Sequence, residues 1–156
     1  MCLRLKQKFP RVIDAKRFSE TPLIASRNLT VYKVLDLVEV NKEKEYYSTY
    51  RSTQYREGET KEVPKFSFKI TSPYKRCAPW SLDIHSGLHS FRKIEKAYIL
   101  MWRDETVLIK CTIPKGTPYF KNEDTGEYVS LKLQMPKEFK SEKRHETNLS
   151  LFIKKL

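Results

Sequence analysis

The fold is decided by residues 107–120, VLIKCTIPKGTPYF. Apolar side chains occupy every second position from Val107 to Ile113, and this period of two predicts a strand with one buried face. Pro114 fixes its own φ and Gly116 can adopt a positive φ, which together indicate a type II turn. A short strand from Tyr119 to Lys121 is expected to follow. The stretch therefore predicts two strands joined by a tight turn.

Similar patterns predict further strands on both sides of this unit. We expect one from Thr30 to Val38, a second over Phe66 to Ile70 and a third from Tyr128 to Met135, where Pro136 ends the strand. The segment from Tyr46 to Tyr55 is rich in aromatic and hydroxyl side chains and fits either a strand pair or a structured loop. A mostly antiparallel sheet is the expected result.

One helix is expected to pack on this sheet. Apolar residues recur at spacings of three and four from Phe91 to Met101, which is the period of one helix face. Ser90 stands where an N-cap would be, and we expect the helix to run from about 91 to 102. The sequence therefore predicts an α+β fold with a mostly antiparallel sheet and one main helix.

The chain length indicates a single domain with flanking segments. Residues 29–136 carry the predicted strands and helix, and a chain of 156 residues can bury one hydrophobic core. Residues 1–28 lack a sustained period and are expected to form an irregular basic arm with at most a short helix near Asp14–Phe18. Residues 137–156 are highly charged and are expected to form a tail.

Composition indicates a cytoplasmic protein outside the membrane. The longest apolar run, Ala97–Trp102, is far shorter than the roughly 20 residues of a membrane span, and the N-terminus lacks a secretory apolar region. Three cysteines without short spacing, Cys2, Cys77 and Cys111, favour a reducing compartment over a disulfide framework. A phage-encoded chain would act in the host cell cytoplasm.

The charge balance favours a polyanionic partner. The formal net charge is +12, and the excess lies in residues 1–28, 64–98 and 137–156. Such an excess suits nucleic acid, a nucleotide or an acidic protein face. Cations interleaved with flat rings could pair with phosphates and stack on bases, or the same rings could simply fill the core. The candidate binding residues are Tyr50, Arg51, Arg56, Tyr74, Lys75, Arg76, Trp80 and Arg92.

Metal and nucleophile chemistry have weaker support. Cys77, His85, His89 and Cys111 lack the paired spacing of a structural zinc site, so no metal site is predicted. Cys111 belongs to the inward face of a predicted strand and is expected to be a buried, inert thiol.

The spaced blocks YKVL, GLHSF, IPKGTPY and EYVS, at residues 32–35, 87–91, 113–119 and 127–130, resemble a set of uncharacterised small proteins of bacteriophages, prophages and gut bacteria. This resemblance implies an accessory role in a phage or mobile element, and a counter-defence role is the natural expectation. It brings no established activity.

The order of the blocks is more distantly similar to that of ADP-ribosyltransferases. In that comparison Tyr32 or Lys33 takes the first-strand position, Ser90 the second motif and Glu127 the third, and NAD would be the cofactor. The first position carries neither the Arg nor the His of that family.

Three hypotheses follow. The leading one is a non-enzymatic protein that binds a polyanion and needs no cofactor. The second is an NAD-using enzyme with Tyr32, Ser90 and Glu127 as catalytic residues. The third is a self-associating structural component, which would expose large apolar patches.

Overall fold

A computed structural model describes residues 3–18, 21–49, 53–72, 78–101 and 105–142. Within them the chain forms two antiparallel sheets, one of three strands and one of ten, the larger curling into a half-barrel. The strands are β1 (Leu3–Phe9), β2 (Leu23–Ile24), β3 (Leu29–Val40), β4 (Glu43–Ser48), β5 (Gln54–Tyr55), β6 (Thr60–Glu62), β7 (Ser67–Thr71), β8 (Trp80–Ser86), β9 (Leu88–Phe91), β10 (Thr106–Ile113), β11 (Pro118–Asn122), β12 (Glu127–Ser130) and β13 (Lys132–Gln134). The helices are α1 (Val12–Arg17) and α2 (Ile94–Ala97), the latter continued by a 3-10 turn at Tyr98–Leu100.

The large sheet is centred on β3 and β10. The two strands pair along eight residues, from Leu29 opposite Ile113 to Asp36 opposite Thr106. The sheet runs in the order β2-β11-β12-β9-β3-β10-β13-β6, and β4 joins the outer half of β3 and carries β5. The prediction of a mostly antiparallel sheet is confirmed.

The turns after β10 follow the predicted chemistry. Thr117 N–H donates to the Pro114 carbonyl at 3.1 Å, and Gly116 has a φ of +86°. Gly126 ends the next turn with a φ of +72°. Positive φ is strained for residues with a side chain, so these glycines fix the two reversals of the chain.

The strand predicted from Tyr128 to Met135 is instead two strands. Leu131 separates β12 from β13 and donates its N–H to the Pro118 carbonyl at 3.1 Å. Because the chain bends there, β12 pairs with β9 and β11 whereas β13 pairs with β10 and β6. Val129, Leu133 and Met135 are all buried, but Val129 packs with the small sheet, whereas Leu133 and Met135 pack with Ile109 and Cys111.

The expectation of an irregular N-terminal arm is wrong. Leu3–Phe9 is strand β1, which pairs with β8, and β8 pairs with β7 to complete the small sheet. Leu3, Leu5 and Phe9 are buried in a core that the small sheet shares with Phe120 and Val129 of the large sheet. The alternation of leucine with Arg4 and Lys6 was the period-two signal of a strand. Helix α1 lies close to the predicted short helix.

The predicted main helix is much shorter than expected. Ser90 and Phe91 belong to β9, where they pair with Tyr128 and Glu127, so the prediction that Ser90 caps a helix is wrong. Within the described part of the predicted helix, residues 91–101, the α-helix covers Ile94–Ala97 alone. The apolar stripe nevertheless identified one packing cluster, because the strand residue Phe91 and the helical residue Ala97 are buried together.

The two faces of the large sheet bury different cores. One face holds Val31, Leu35, Ile109, Cys111 and neighbouring residues. The other face packs on α2 at one end and on the small sheet at the other. Strand alternation puts successive residues of β3, β9 and β12 on opposite faces, which decides what can reach the site described next.

Residues beyond the predicted domain end also pack on the sheet. The ring of Phe139 makes an edge contact with Tyr46 at 4.6 Å between centroids, and Glu142 N–H donates to the Leu108 carbonyl at 2.8 Å. The rest of the predicted charged tail lies outside the described residues. No helix in the described ranges is long and apolar enough to cross a membrane.

Candidate functional site: a cationic cleft between two strands

A cleft opens where β3 and β9 separate. The two strands pair only at Tyr32 and Phe91 in the described part of the chain, and further along β3 takes β4 as its neighbour, with Leu35 opposite Ser48. A cavity of about 170 Å³ lies between them. The described residues that line it are Lys33, Val34, Ser48, Thr49, Thr53, Tyr55, Lys61, Val63, Ser86, Gly87, Leu88, His89, Ser90 and Phe91.

Lys33 is the central residue of the cleft. It stands on β3 between Val31 and Leu35, on the face that otherwise packs the apolar core, and it is only 7% exposed. Its ammonium donates to the backbone carbonyl of His89 at 2.7 Å, which bridges the gap between β3 and β9. The same Nζ lies 5.0 Å from the ring centroid of Tyr55, within the range of a cation–π contact.

The charge of Lys33 has no partner of opposite sign among the described residues. Burial lowers the pKa of Lys33 to about 8, and electrostatic attraction from Cys111 and Glu127 offsets only part of this effect. No carboxylate of the described ranges makes an ion pair with Lys33, although buried charges are normally paired. An anion bound in the cavity could therefore neutralise this buried ammonium.

A second buried polar pair lies on the strands beside Lys33. The Nδ1 atom of His89 is 2.8 Å from Oε1 of Glu127, and the two side chains are only 11% and 6% exposed. Burial lowers the pKa of His89, and the hydrogen bond with Glu127 opposes this only in part. Because a carboxylate only accepts hydrogen bonds, Nδ1 carries the proton of the neutral ring. Nε2 is then a lone-pair acceptor, and it is buried without a hydrogen-bond partner in the described structure.

Gly87 allows β9 to approach β12 at this point. Its φ is +140°, and a Cβ at this position would lie 2.2 Å from Cγ1 of Val129. A side chain would therefore push β9 away from β12, and His89 pairs with Val129 across that same gap. The glycine thus holds the register that brings His89 to Glu127.

Tyr55 and Lys61 form the opposite wall. Lys61 Nζ is 5.5 Å from the Tyr55 ring centroid and donates to the Gln54 carbonyl at 2.9 Å. It also pairs with Glu59 at 3.2 Å. Tyr55 is buried, which raises the pKa of its phenol, so the ring stays neutral. The lining thus places two ammonium groups beside one aromatic ring.

The described lining carries two ammonium groups and no carboxylate. Lys33 and Lys61 are its lysines, His89 is neutral, and neither aspartate nor glutamate is among its described residues. Hydroxyl groups from Ser48 and Thr53 add possible donors, whereas the Thr49 hydroxyl donates to the Val34 carbonyl at 3.3 Å. Val63 and other apolar residues make up much of the remaining lining. Such a mixture of a few polar groups in an apolar cleft is typical of small-molecule sites.

The predicted surface cluster of cations and rings does not coincide with this cleft. The guanidinium of Arg92 donates to the Thr30 carbonyl, and Trp80 begins β8 and packs against the core of the small sheet. Arg56 follows β5 and is exposed. No described contact joins these three residues. Tyr50, Arg51, Tyr74, Lys75 and Arg76 lie outside the described residues.

The three residues of the enzyme hypothesis lie on adjacent strands. Tyr32 of β3 is opposite Phe91 of β9, and Phe91 is opposite Glu127 of β12. Ser90 lines the cleft, whereas Tyr32 and Glu127 are not among its described lining residues. Strand alternation puts Ser90 on the face opposite to Glu127. Neighbouring strands therefore bring the three backbones together without placing the three side chains on one surface.

The described residues contain no group of three or more potential metal ligands. The bond to Glu127 engages Nδ1 of His89 alone, and Cys77 lies outside the described residues. The prediction that Cys111 is a buried thiol is confirmed, since it is 2% exposed and burial raises its pKa to about 12.

Comparison of the chain with protein-family models, curated proteins and solved structures finds no match. Sequence reasoning missed the pairing of Lys33 with Tyr55, yet a signal was present. Lys33 occupies the inward position between Val31 and Leu35, where a cation departs from the apolar pattern.

Proposed function

We propose that the protein is a non-enzymatic binding protein whose cleft takes a small phosphate-bearing ligand of the nucleotide class. The observation that carries this proposal is the buried ammonium of Lys33, which lines a cavity without an acidic side chain in its described lining. An anion supplied by the ligand would provide the missing counter-charge. Ligand binding would then stabilise a charge that the folded chain alone leaves unpaired.

The size of the cleft favours one end of such a ligand. A cavity of about 150 Å³ accommodates a benzene-sized molecule, and the cleft measures about 170 Å³. It would therefore hold a single phosphate or one ring, with the rest of the ligand outside. The net charge of +12 would favour phosphates on the surrounding surface as well. Nucleic acid or an acidic host protein are the larger partners with the same charge.

The biological setting rests on the sequence resemblance. An accessory, counter-defence protein of phage type that sequesters a nucleotide signal would need binding without chemistry. The proposed cleft supplies binding groups of that kind.

Calorimetric titration with ATP, and separately with adenosine, tests the proposal. ATP should bind, adenosine should bind at least about tenfold more weakly, and ATP affinity should fall as salt rises, because screening weakens charge attraction. Lys33→Met should reduce ATP affinity at least about tenfold, as expected for a charge-assisted hydrogen bond. Lys110→Met, which removes an exposed lysine of β10, is the matched control and should bind ATP like the parent protein. Absent binding, or an affinity independent of salt and of Lys33, would refute the proposal.

A second candidate is an ADP-ribosyltransferase-type enzyme that uses NAD. The adjacency of β3, β9 and β12 and the burial of Glu127 beside His89 favour it. Incubation with NAD and a protein or nucleic-acid acceptor should then add one ADP-ribose mass, and Glu127→Gln should abolish that addition. If the parent protein adds no ADP-ribose mass to the acceptor, this enzyme candidate is excluded and the binding proposal is unaffected.

A further inference from the structure

We infer that Lys33 is a nucleophilic amine that captures a carbonyl-bearing anionic ligand as a reversible imine. This inference rests on the proposed function and deepens it, because it adds an aldehyde or ketone to the anionic group of the ligand. It is carried by the position of Lys33, which is the lysine that is both buried and part of the cavity wall.

The surroundings of Nζ differ from those of an ordinary buried lysine. Its described hydrogen bond goes to a backbone carbonyl, that of His89, and its other neighbour is the ring of Tyr55. Neither partner holds a proton on the nitrogen as strongly as a carboxylate would. A lysine desolvated in an apolar pocket is the usual form of the amine that makes imines with carbonyl substrates.

The protonation state of Lys33 supports the same chemistry. Burial lowers its pKa to about 8, so that about a tenth of the amine is unprotonated at pH 7. For an exposed lysine with a pKa of about 10.4 the fraction is below about one in a thousand.

The reaction balances without an oxidant, a reductant or a cofactor. The lone pair of Nζ attacks the carbonyl carbon, the C=O π electrons move to oxygen, and proton transfer from nitrogen to oxygen gives a carbinolamine. Loss of the hydroxyl as water, with one added proton, leaves a protonated imine. This product keeps the positive charge beside Tyr55 and one N–H that can still donate to the His89 carbonyl. The charge complementarity of the cleft is therefore the same before and after the reaction.

Three related probes separate this inference from the proposal on which it rests. Pyridoxal 5′-phosphate carries an aldehyde and a phosphate, pyridoxal lacks the phosphate, and pyridoxine 5′-phosphate has an alcohol in place of the aldehyde. The full chain is incubated with each aldehyde, reduced with borohydride and mapped by peptide mass spectrometry. The exposed Lys110 is the internal reference for non-specific labelling.

We expect pyridoxal 5′-phosphate to label Lys33 at least about tenfold faster than Lys110, and pyridoxine 5′-phosphate to slow that labelling. Lys33→Arg keeps the charge and should still bind pyridoxine 5′-phosphate, while the fast label disappears. If Lys33 is labelled no faster than Lys110 although pyridoxine 5′-phosphate binds, the imine inference is overturned and the anion site stands. If pyridoxal labels Lys33 as fast as its phosphate does, and pyridoxine 5′-phosphate gives no protection, the anion site fails while the nucleophile stands. The comparison of Lys33 with Lys110 in the parent protein tests the imine inference even if the arginine variant does not fold.

Discussion

Replacement of Lys33 by methionine should make the protein more stable at neutral pH, although it removes a central residue of the cleft. Methionine keeps an unbranched, flexible stem and needs no solvation. The pKa of Lys33 falls from 10.5 to about 8 in the folded chain. Since one unit of pKa corresponds to about 1.4 kcal/mol, the buried charge costs about 3 kcal/mol at pH 7.

Part of that gain is lost again in the variant. The His89 carbonyl loses its donor, which costs about 1–2 kcal/mol when the oxygen stays buried. We therefore expect Lys33→Met to raise the free energy of unfolding by about 1–2 kcal/mol. For a chain of this size that is a rise in the melting temperature of roughly 2–8 °C.

The pH dependence of the unfolding free energy gives a second test of the cost of the buried Lys33 charge. The folded-state pKa of Lys33 is lower than the unfolded one, so the unfolded chain binds more protons between pH 8 and 10.5, and parent stability rises with pH across that window. The advantage of the variant should be complete below pH 8, shrink as the pH rises and reverse before pH 10.5, where the parent keeps its hydrogen bond to the His89 carbonyl without the cost of a buried charge. The other titratable groups that interact with or lie beside this ammonium are unchanged in the variant: His89, Glu127, Cys111, Tyr55 and Lys61.

Urea unfolding at pH 7, 8, 9 and 10 measures the difference in unfolding free energy between Lys33→Met and the parent. Lys110→Met is the control for an exposed lysine and should lie within about 0.5 kcal/mol of the parent. A variant at least about 1 kcal/mol less stable than the parent at pH 7 would refute the reasoning. A constant difference across the pH range would do the same. A stabilising substitution that abolishes ligand binding is typical of a functional residue.

Three further results are expected. Gly87→Ala should destabilise the fold by about 3 kcal/mol or more, because its Cβ would lie 2.2 Å from Val129 at a φ of +140°. Gly116→Ala, at a φ of +86° with open space around it, should cost about 1 kcal/mol in the same urea titration, and equal costs would contradict the close approach. Glu127→Ala should cost about 2–3 kcal/mol because His89 loses its buried acceptor, and Glu127→Gln clearly less because an amide oxygen can still accept from Nδ1; equal losses would show that the charge and not the hydrogen bond matters. Association with single-stranded oligonucleotides, if the surface binds them, should weaken steeply between low and high salt in a filter-binding assay, and a flat response would exclude phosphate pairing.

Local patterns were sufficient for most of the central sheet. The alternation in β3 and β10 and the Pro-Gly turn after β10 are properties of adjacent residues, so the sequence alone determined them. The same holds for the burial of Cys111, which follows from its parity within β10. Hydrophobic periodicity, proline and glycine act over a few residues, so their effects do not depend on partners that are distant along the chain.

Long-range pairing decided what the sequence could not. Ser90 and Phe91 looked like the start of a helix because apolar spacing of three and four does not reveal a strand partner. Their partners on β12 and β3 make them extended. The break at Leu131 likewise depends on the Pro118 carbonyl.

The cleft depends entirely on such long-range pairing. Lys33 is visible in the sequence as a cation within an apolar pattern, but its importance arises from the separation of β9 from β3 and from the approach of Tyr55. Residue type and order therefore determined β3, β10, the turn after β10 and the basic character of this protein. The tertiary structure decided where one lysine loses its water, because desolvation depends on neighbours that are distant along the chain.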